Sequence, residues 1–147
     1  MTTTRYEADF FAWANEQAAL LRAGKLSAAD IEHIAEEIED MGRAEQRELE
    51  NRLKQLLLHL LKWRFQPERR GSSWQASIRI QRVEIAKHVK KNPSLKADIA
   101  ETMSDAYEVA QIAAAGETGL LETVFPAECP WSYEQIMDAG FWPDAAT

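Results

Sequence analysis

The sequence predicts an all-α protein: a compact bundle of about five main helices, with a C-terminal tail that wraps onto the bundle and contains one short helix. Apolar side chains recur at spacings of three and four residues through most of the chain before Gly116, which is the period of an amphipathic helix. Serine, threonine, glycine and proline stand where these segments should begin and end. A chain of 147 residues, 46% hydrophobic and 28% charged, has the size and composition of one domain, so residues 1–147 are assigned to a single helical domain.

The first helix is predicted over residues 5–23. Thr4 and Glu7 have the spacing of a capping box at its start, and Gly24 suits a left-handed stop at its end. Its apolar stripe consists of Phe10, Trp13, Gln17, Leu20 and Leu21.

A second helical segment begins at Ser27 and carries one apolar seam to about Phe65. An unbroken helix over this stretch would be about 57 Å long, nearly twice the width of a small domain. We therefore expect a bend at Gly42 that divides this segment into the second and third helices. A continuous helix is the alternative if its outer half packs on a second subunit. The part expected to be most buried is the leucine-dense stretch formed by Leu56, Leu57, Leu58, Leu60 and Leu61.

The later elements are shorter. After a loop at Pro67 and Gly71, a fourth helix is predicted over residues 72–92, and a fifth over residues 94–115 after Pro93. In the tail, Ser132 and Gln135 form a capping box that opens a short helix over residues 133–139. The tail aromatics are too apolar to remain in water, so we expect the tail to wrap onto the bundle. They are Phe125, Trp131, Phe141 and Trp142.

The net charge of −7 is distributed unevenly. The basic segment, residues 62–96, begins at Lys62, ends at Lys96 and has ten Lys and Arg against two acids, a balance of +8. The acidic third, residues 97–147, has ten acids and no Lys or Arg. Either the basic segment meets an acidic partner such as nucleic acid, or the acidic third neutralises it. We favour internal neutralisation, because a protein of net negative charge repels phosphate at long range.

Sequence signals for the common enzyme classes are missing. The chain has no phosphate-binding glycine loop, dinucleotide fingerprint, paired-cysteine zinc pattern or serine nucleophile elbow, so enzymatic activity is not favoured and no cofactor is expected. No apolar run is long enough to span a membrane, and no secretory signal is visible. The single cysteine, Cys129, cannot form an internal disulfide and is interpreted as a structural or incidental thiol and not as a nucleophile. We therefore expect a soluble cytoplasmic protein with no membrane partner.

Helical phase places Glu45 in the middle of the long apolar seam, and Arg52 and His59 follow at intervals of seven. A buried carboxylate needs a partner. Glu45 is therefore either exposed or ion-paired near a bend at Gly42, or part of a polar pocket with Arg52 and His59 that could bind a small anion or polar ligand.

The three histidines, His33, His59 and His88, fall on three successive helices, which is a distribution that a metal site in a helical bundle could use. His59 and His88 border their apolar stripes, whereas His33 and Glu37 lie on what we expect to be a solvated face. A border histidine is more often a hydrogen-bonded structural residue than a ligand, so no metal-binding residue is assigned.

Aromatic and basic side chains alternate in the first half of the basic segment. Such residues can stack on bases and bind phosphate, anchor a protein interface, or fill the core while the arginines neutralise acids. We favour the last of these. The candidate binding surface consists of Trp63, Arg64, Arg69, Arg70, Trp74, Arg79 and Arg82.

An ordered set of short motifs runs along nearly the whole chain. The motifs are Glu36-Glu37-Ile38-Glu39, Gly42-Arg43, Leu57-Leu58-His59-Leu60-Leu61-Lys62-Trp63, Gln66-Pro67-Glu68, Ser73-Trp74, Gln81-Arg82, Pro93-Ser94-Leu95, Glu117-Thr118, Phe125-Pro126, Cys129-Pro130, Ser132, Glu134 and Gln135. Together they resemble the bacterial domain-of-unknown-function 29 family, with His33 as a local departure. The resemblance implies a small all-helical bacterial protein and assigns neither an activity nor catalytic residues.

The sequence does not identify a reaction. The best prediction is a non-enzymatic protein-binding or adaptor module that self-associates, most simply as a dimer, through an outer apolar patch at Ile80 and Val83. The alternative is RNA or DNA binding through the arginines of the basic segment. A metal or small-ligand site in the helical bundle is a third and weaker prediction.

Overall fold

The computed structural model describes residues 5–144, and every regular element in this range is helical. The α-helices are α1 (Arg5–Ala8), α2 (Phe10–Arg22), α3 (Ile31–Phe65), α4 (Ser72–Lys91), α5 (Ile99–Thr118) and α6 (Tyr133–Met137). Short 3-10 turns occur at Leu26–Ala28, Pro67–Arg69, Pro93–Asp98 and Glu122–Val124. No strand occurs among these residues, so the all-α prediction is confirmed. None of the helices within residues 5–144 combines the length and apolar character required to cross a membrane.

The N-terminal helix is interrupted where the sequence predicted a single element over residues 5–23. Asp9 ends α1 and begins α2, and its side chain accepts a hydrogen bond of 3.0 Å from the Ala12 backbone N–H. An aspartate at this position satisfies an N–H that would otherwise have no partner in the first turn. Gly24 adopts φ +71°, which confirms the predicted left-handed stop. Thr4, predicted to form a capping box with Glu7, lies outside the described residues.

Helix α3 begins three residues later than a cap at Ser27 would place it. Asp30, not Ser27, is at its N-terminus: the Ile34 N–H donates to the Asp30 carbonyl, and the Asp30 side chain accepts from the His33 N–H at 3.4 Å. From Ile31 the helix continues through Gly42 as a single element of 35 residues, so the expected bend does not divide it. This is the continuous alternative; packing of its outer half on a second subunit, the condition attached to it, stays a prediction.

The chain divides into two compact units, Met1–Ala44 and Glu45–Thr147, and α3 contributes residues to both. In the first unit, the buried side chains among residues 5–44 are Trp13 and Gln17. The assignment of residues 1–147 to a single domain stays a prediction.

The second unit is a helical bundle whose core contains the predicted leucine-dense stretch. Leu56, Leu57, Leu60 and Leu61 are fully buried, and Leu58 is 3% exposed. Apolar residues of α4, α5 and the tail complete this core, among them Ile78, Ile85, Met103, Tyr107, Phe125, Trp131 and Ile136. Removing these side chains from water is the main favourable term in the folding of the unit.

The C-terminal tail packs on this bundle, as predicted. Its short helix α6 opens with the predicted capping box, in which the Ser132 side chain accepts from the Gln135 N–H and the Gln135 side chain accepts from the Ser132 N–H. Before the tail, α5 starts at Ile99 instead of Ser94, because the 3-10 turn Pro93–Asp98 precedes it. The helix ends at Gly119, whose φ of +76° is the left-handed conformation that favours glycine.

Candidate functional site

The predicted pocket of Glu45, Arg52 and His59 is only partly assembled. Glu45 and Arg52 both contact side chains of α4. His59 is not part of this group; its Nδ1 lies 2.8 Å from the Gln55 carbonyl oxygen one turn earlier in α3. Although Arg52 and His59 lie on one line of the helix, two turns separate them by about 10 Å along the axis. The histidine that Glu45 meets is His88 of α4.

His88 is 8% exposed and lies between two glutamates of α3. Its Nε2 is 2.8 Å from the backbone carbonyl oxygen of Glu45 and 3.5 Å from Oε2 of the same residue. Its Nδ1 is 3.3 Å from Oε2 of Glu48. A carbonyl oxygen only accepts, so Nε2 carries a hydrogen. The neighbour of Nε2 is thus a carbonyl oxygen, and that of Nδ1 is a carboxylate oxygen.

Arg52 contacts Oε1 of Glu48, the carboxylate oxygen that His88 does not contact. Its Nη2 lies 3.2 Å from Oε1 of Glu48 and 3.9 Å from Oε2 of Glu84, and its Nη1 donates to Gln81 at 3.5 Å. The Glu45 and Glu48 side chains are 41% and 45% exposed, so solvent and small ions reach them. We call Glu45, Glu48 and His88 the carboxylate–histidine cluster; their ligand atoms all lie within 4.8 Å of one another.

Among the residues of the predicted binding surface, Arg82 is buried and holds the C-terminal tail. Its Nε donates to the Ile136 carbonyl at 2.7 Å, and its two terminal nitrogens donate to the carbonyls of Ala139 at 3.5 Å and Phe141 at 2.6 Å. Its guanidinium also lies 5.3 Å from the ring centroid of Trp142. Burial lowers the pKa of Arg82 from its ordinary value. Because its donors are used inside the molecule, Arg82 does not present them to a ligand.

Arg70 makes similar contacts at the end of the tail. It donates to the Trp63 carbonyl at 2.7 Å and to the Pro143 carbonyl at 3.2 Å, and its guanidinium lies 4.9 Å from the Trp63 ring centroid. Trp63 in turn packs on Trp142, with centroids 4.7 Å apart. These two arginines and two tryptophans fasten the tail to the bundle.

The rest of the predicted surface is divided between internal contacts and solvent. Lys62 lies 4.8 Å from the Trp74 ring centroid, and Arg64 lies 5.1 Å from that of Phe65. Arg69 and Arg79 are exposed. The predicted surface is therefore not one continuous binding face.

A second polar cluster, which the sequence analysis did not identify, surrounds Asp30 in the first unit. One Asp30 carboxylate oxygen accepts from Trp13 Nε1 at 3.0 Å and lies 2.7 Å from His33 Nδ1. The Asp30 N–H donates to the Gln17 side chain at 2.7 Å. Tyr6 stacks on the His33 ring at a centroid distance of 4.0 Å. His33 is therefore half-buried among side chains, instead of on the solvated face expected from helical phase.

The hydrogen bonds of this cluster change three acidities. The bond to Asp30 raises the pKa of His33, and the same bond lowers the pKa of Asp30. A hydrogen bond to the Glu37 carboxylate raises the pKa of Tyr6 to about 12. An ionised aspartate and a charged imidazole therefore favour each other here.

An exposed apolar stripe follows the outer side of α3 in the first unit. It consists of Ile31, Ile38 and Met41, which are 53%, 63% and 67% exposed. Their spacings of seven and three place them on one face of the helix. Side chains of this size are usually covered, so the stripe is a candidate interaction surface.

The second unit also contains an open cleft of about 790 Å³ between α5 and the tail. Its walls include Met103, Tyr107, Cys129 and Tyr133. The Cys129 thiol donates to the Trp131 carbonyl at 3.4 Å, and burial raises its pKa. A thiol with a raised pKa is a poor nucleophile, which agrees with a structural role.

The described residues thus form an all-helical protein in which a tail is held on a bundle by two arginines, the buried Arg82 and the partly buried Arg70. The chain belongs to the DUF29 family, a domain of unknown function, whose family model matches residues 5–142. No curated protein and no solved structure gives a significant match to the chain.

Proposed function

We propose that the chain is a non-enzymatic protein-binding module, and that the apolar stripe of α3 binds an amphipathic helix of a partner protein. The observation that carries the proposal is the exposure of Ile31, Ile38 and Met41, each more than half accessible to solvent. Helices that bind in this way insert apolar side chains at spacings of three, four and seven residues. Ile31, Ile38 and Met41 are themselves seven and three residues apart, so the stripe can pack against the apolar face of such a helix.

The net charge of the α3 segment that carries the stripe favours a basic partner. Within residues 31–44, the sequence has five acids and one base, Arg43. Arg43 is already paired with Asp40 and Glu39 on the same helix. The acids are Glu32, Glu36, Glu37, Glu39 and Asp40.

A second copy of this chain is a poor occupant of the stripe. Two such helices side by side would bring their acids together, and like charges at an interface oppose association. A partner helix with lysine or arginine beside its apolar residues would instead gain from the same acids. We therefore commit to a basic amphipathic helix of another protein.

The experiment is site-specific photo-crosslinking in the native cell. A photoreactive phenylalanine at position 38 should crosslink to one segment that has basic and apolar residues at helical spacing. The matched control is the same group at position 36, about 160° away around α3, which should crosslink to that segment at least about tenfold less. A peptide of the captured segment should bind at least about tenfold more weakly to the double variant Ile38→Ser, Met41→Ser, and more weakly as salt increases.

Several outcomes would count against the proposal. Equal crosslinking from positions 36 and 38 would show that the stripe does not select the partner. Crosslinks only to the chain itself would replace the partner with a second copy. If both serine substitutions leave the affinity of the peptide unchanged, the peptide binds outside the stripe.

We also propose self-association through α4. Ile80 and Val83 are 55% and 52% exposed and lie three residues apart on one face. Sedimentation equilibrium should detect a dimer, and Ile80→Ser together with Val83→Ser should weaken the dimer at least about tenfold. A monomer at high micromolar concentration would contradict this proposal.

Cytoplasmic residence and a bacterial source remain part of the same proposal. Nucleic-acid binding has less support, because Arg70 and Arg82 donate to carbonyl oxygens within the molecule.

A further inference from the structure

We infer that Glu45, Glu48 and His88 form a binding site for a divalent transition-metal ion of the Zn²⁺ class. The inference concerns the second unit and does not depend on the protein-binding role of the α3 stripe. Zinc sites in proteins use imidazole nitrogen and carboxylate oxygen ligands, and this cluster offers one of the former and two of the latter.

The hydrogen bond at Nε2 prepares His88 for this role. Because Nε2–H donates to the Glu45 backbone carbonyl, the neutral imidazole has its lone pair on Nδ1. A histidine that binds a metal commonly donates its other N–H to a backbone carbonyl or a carboxylate, which fixes the ring and the tautomer. His88 is also buried in α4, so the ring is held in place.

The contact at Nδ1 is the feature that suits a cation. Nδ1 lies 3.3 Å from Oε2 of Glu48. A lone pair facing a carboxylate is repulsive, so either a second ring proton or a positive ion between the two atoms would stabilise this contact. Two ligand atoms on one tetrahedral zinc ion lie roughly 3.4 Å apart, given metal–ligand bonds of about 2.1 Å. The observed separation of 3.3 Å is close to that value.

The surrounding charges leave room for a divalent ion. Three carboxylates, those of Glu45, Glu48 and Glu84, surround one guanidinium, that of Arg52. With a neutral His88 this group has two excess negative charges. Arg52 binds Oε1 of Glu48 and leaves Oε2 directed toward His88. The half-exposed Glu45 carboxylate lies 3.5 Å from Nε2, so it would have to change rotamer to join Nδ1 and Glu48 as the third ligand. Water would complete the coordination.

The test is a zinc titration of the full chain. The protein is freed of metal with a chelator, and ZnCl₂ is added in an isothermal titration calorimeter. We expect one Zn²⁺ per chain. CoCl₂ should give visible ligand-field absorption that Zn²⁺ removes, because both ions occupy the same site.

Substitutions assign the site. Glu48→Gln keeps the shape of the side chain but lowers its charge and ligand strength, so the Kd for Zn²⁺ should rise at least tenfold; His88→Gln should abolish stoichiometric binding. The matched controls are Glu101→Gln on α5 and His59→Gln on α3, which should bind like the wild type. Circular dichroism checks the fold of each variant. If His88→Gln fails to fold, the inference is tested by the zinc affinity of Glu48→Gln and by the NMR signals of the His88 ring in the wild type.

Nitrogen NMR of the histidine rings distinguishes the two occupants of the Nδ1 position. In the metal-free protein and with excess ZnCl₂, we expect His88 Nε2 to stay protonated, and Zn²⁺ to shift Nδ1 without shifting the His59 ring. The inference fails if the wild type binds no Zn²⁺, if Glu48→Gln binds as tightly as the wild type, or if Nδ1 keeps a proton in excess Zn²⁺. That last result would make His88 a charged partner of Glu48 and nothing more.

Discussion

Asp30 makes more polar contacts than any other residue among residues 5–44 of the first unit. It begins α3, accepts from the Trp13 indole and pairs with His33. A short carboxylate at a helix N-terminus satisfies backbone N–H groups, and here the same carboxylate also binds two side chains. One residue thus sets both the start of a helix and the ionisation of a neighbouring histidine.

Replacing Asp30 with Asn should return the pKa of His33 toward its ordinary value of 6.5. The cause is the loss of the negative partner whose hydrogen bond raises that pKa. An NMR titration of the His33 ring measures the change. The control is Asp40→Asn, because Asp40 pairs with Arg43 and should leave the His33 titration in place. A His33 pKa at or below 6.5 in the wild type would contradict the pairing.

The sign of the pH dependence follows from the two shifts. A raised pKa of His33 gives stability that is full below 6.5 and is lost as pH rises through the folded-state value. A lowered pKa of Asp30 gives stability that is present above 3.8 and is lost as pH falls through the folded-state value. The pair therefore contributes most between about pH 4 and 6.5.

Arg82→Met should destabilise the protein by about 3 kcal/mol. The methionine fills much of the volume but leaves the carbonyls of Ile136 and Phe141 without their charged donor. Urea denaturation followed by tryptophan fluorescence gives the free energy of unfolding. Arg79→Met, on the exposed side of α4, is the control and should change it by no more than about 0.5 kcal/mol. Equal effects of the two substitutions would show that the arginine does not hold the tail.

At the scale of elements, α3 has a different environment in each unit. From Leu49 to Leu61 its buried side chains are all leucines, whereas Ile31, Ile38 and Met41 remain exposed. Period-three-and-four spacing predicts a helix in both parts, because amphipathic spacing depends only on helical geometry. Burial of the apolar side differs because it depends on what packs against the helix.

Leu57→Ala should cost roughly 2–5 kcal/mol of unfolding free energy, because the side chain is fully buried and its removal leaves a cavity. Chemical denaturation measures the loss. Leu121→Ala, at a leucine that is 75% exposed, should change stability by less than about 0.5 kcal/mol. An unchanged denaturation midpoint for Leu57→Ala would remove the leucine-dense stretch from the core.

Gly42→Ala should stabilise the protein by about 1 kcal/mol, because Gly42 lies inside α3 and no atom lies within 4 Å of the added Cβ. Gly119→Ala should have the opposite sign and cost about 1 kcal/mol, because φ +76° strains an alanine. Thermal unfolding distinguishes the two signs. A destabilising Gly42→Ala would mean that α3 is broken there.

Much of the fold could be predicted from the sequence, and less of the sites. Helical spacing, the Ser132–Gln135 capping box and the stop at Gly24 are local signals, and the structure contains each of them. The start of α3 was misassigned because Ser27 and Asp30 are both good caps, and only contacts with Trp13 and Gln17 favour Asp30. The Asp30–His33 pair has the i,i+3 spacing that could have revealed it.

The partner of Glu45 required knowledge of the tertiary structure. Phase along α3 aligned it with His59, but the ring that reaches it belongs to α4, and the rotation of α4 about its axis follows from packing in the bundle. The same limit applied to Arg82. Spacing alone did not distinguish an arginine that binds a ligand from one that binds the chain's own carbonyls.

At the scale of the whole molecule, the charge asymmetry has an unexpected structural basis. The sequence favoured neutralisation of the basic segment by the acidic third. In the part of the chain that the structure describes, one ion pair joins them directly, Lys62 with Glu117 at 3.0 Å. Arg70 and Arg82 instead contact carbonyls of that third. The hydrogen bonds between the two regions thus use mainly main-chain oxygens.

The two units should differ in local stability. Helix α2 buries Trp13 and Gln17, whereas α5 buries six side chains, five of which belong to a continuous apolar core. Local opening is easier where few apolar contacts are lost. Hydrogen exchange followed by mass spectrometry should give amides of α2 protection at least about tenfold lower than those of α5, a difference of about 1.4 kcal/mol or more. Equal protection in both helices would contradict this ranking.

The hydrogen bonds from Arg82 to the tail determine how far the amino-acid sequence of the tail can vary. Every amino acid supplies a carbonyl oxygen, so a guanidinium that recognises Ile136, Ala139 and Phe141 by that atom does not read their identity. Mutational drift in the tail is then limited by volume and shape, as at Trp142 against Trp63, while the attachment itself is preserved. Arg82 therefore constrains one position of α4, whereas the sequence of the tail that it holds is free to diverge.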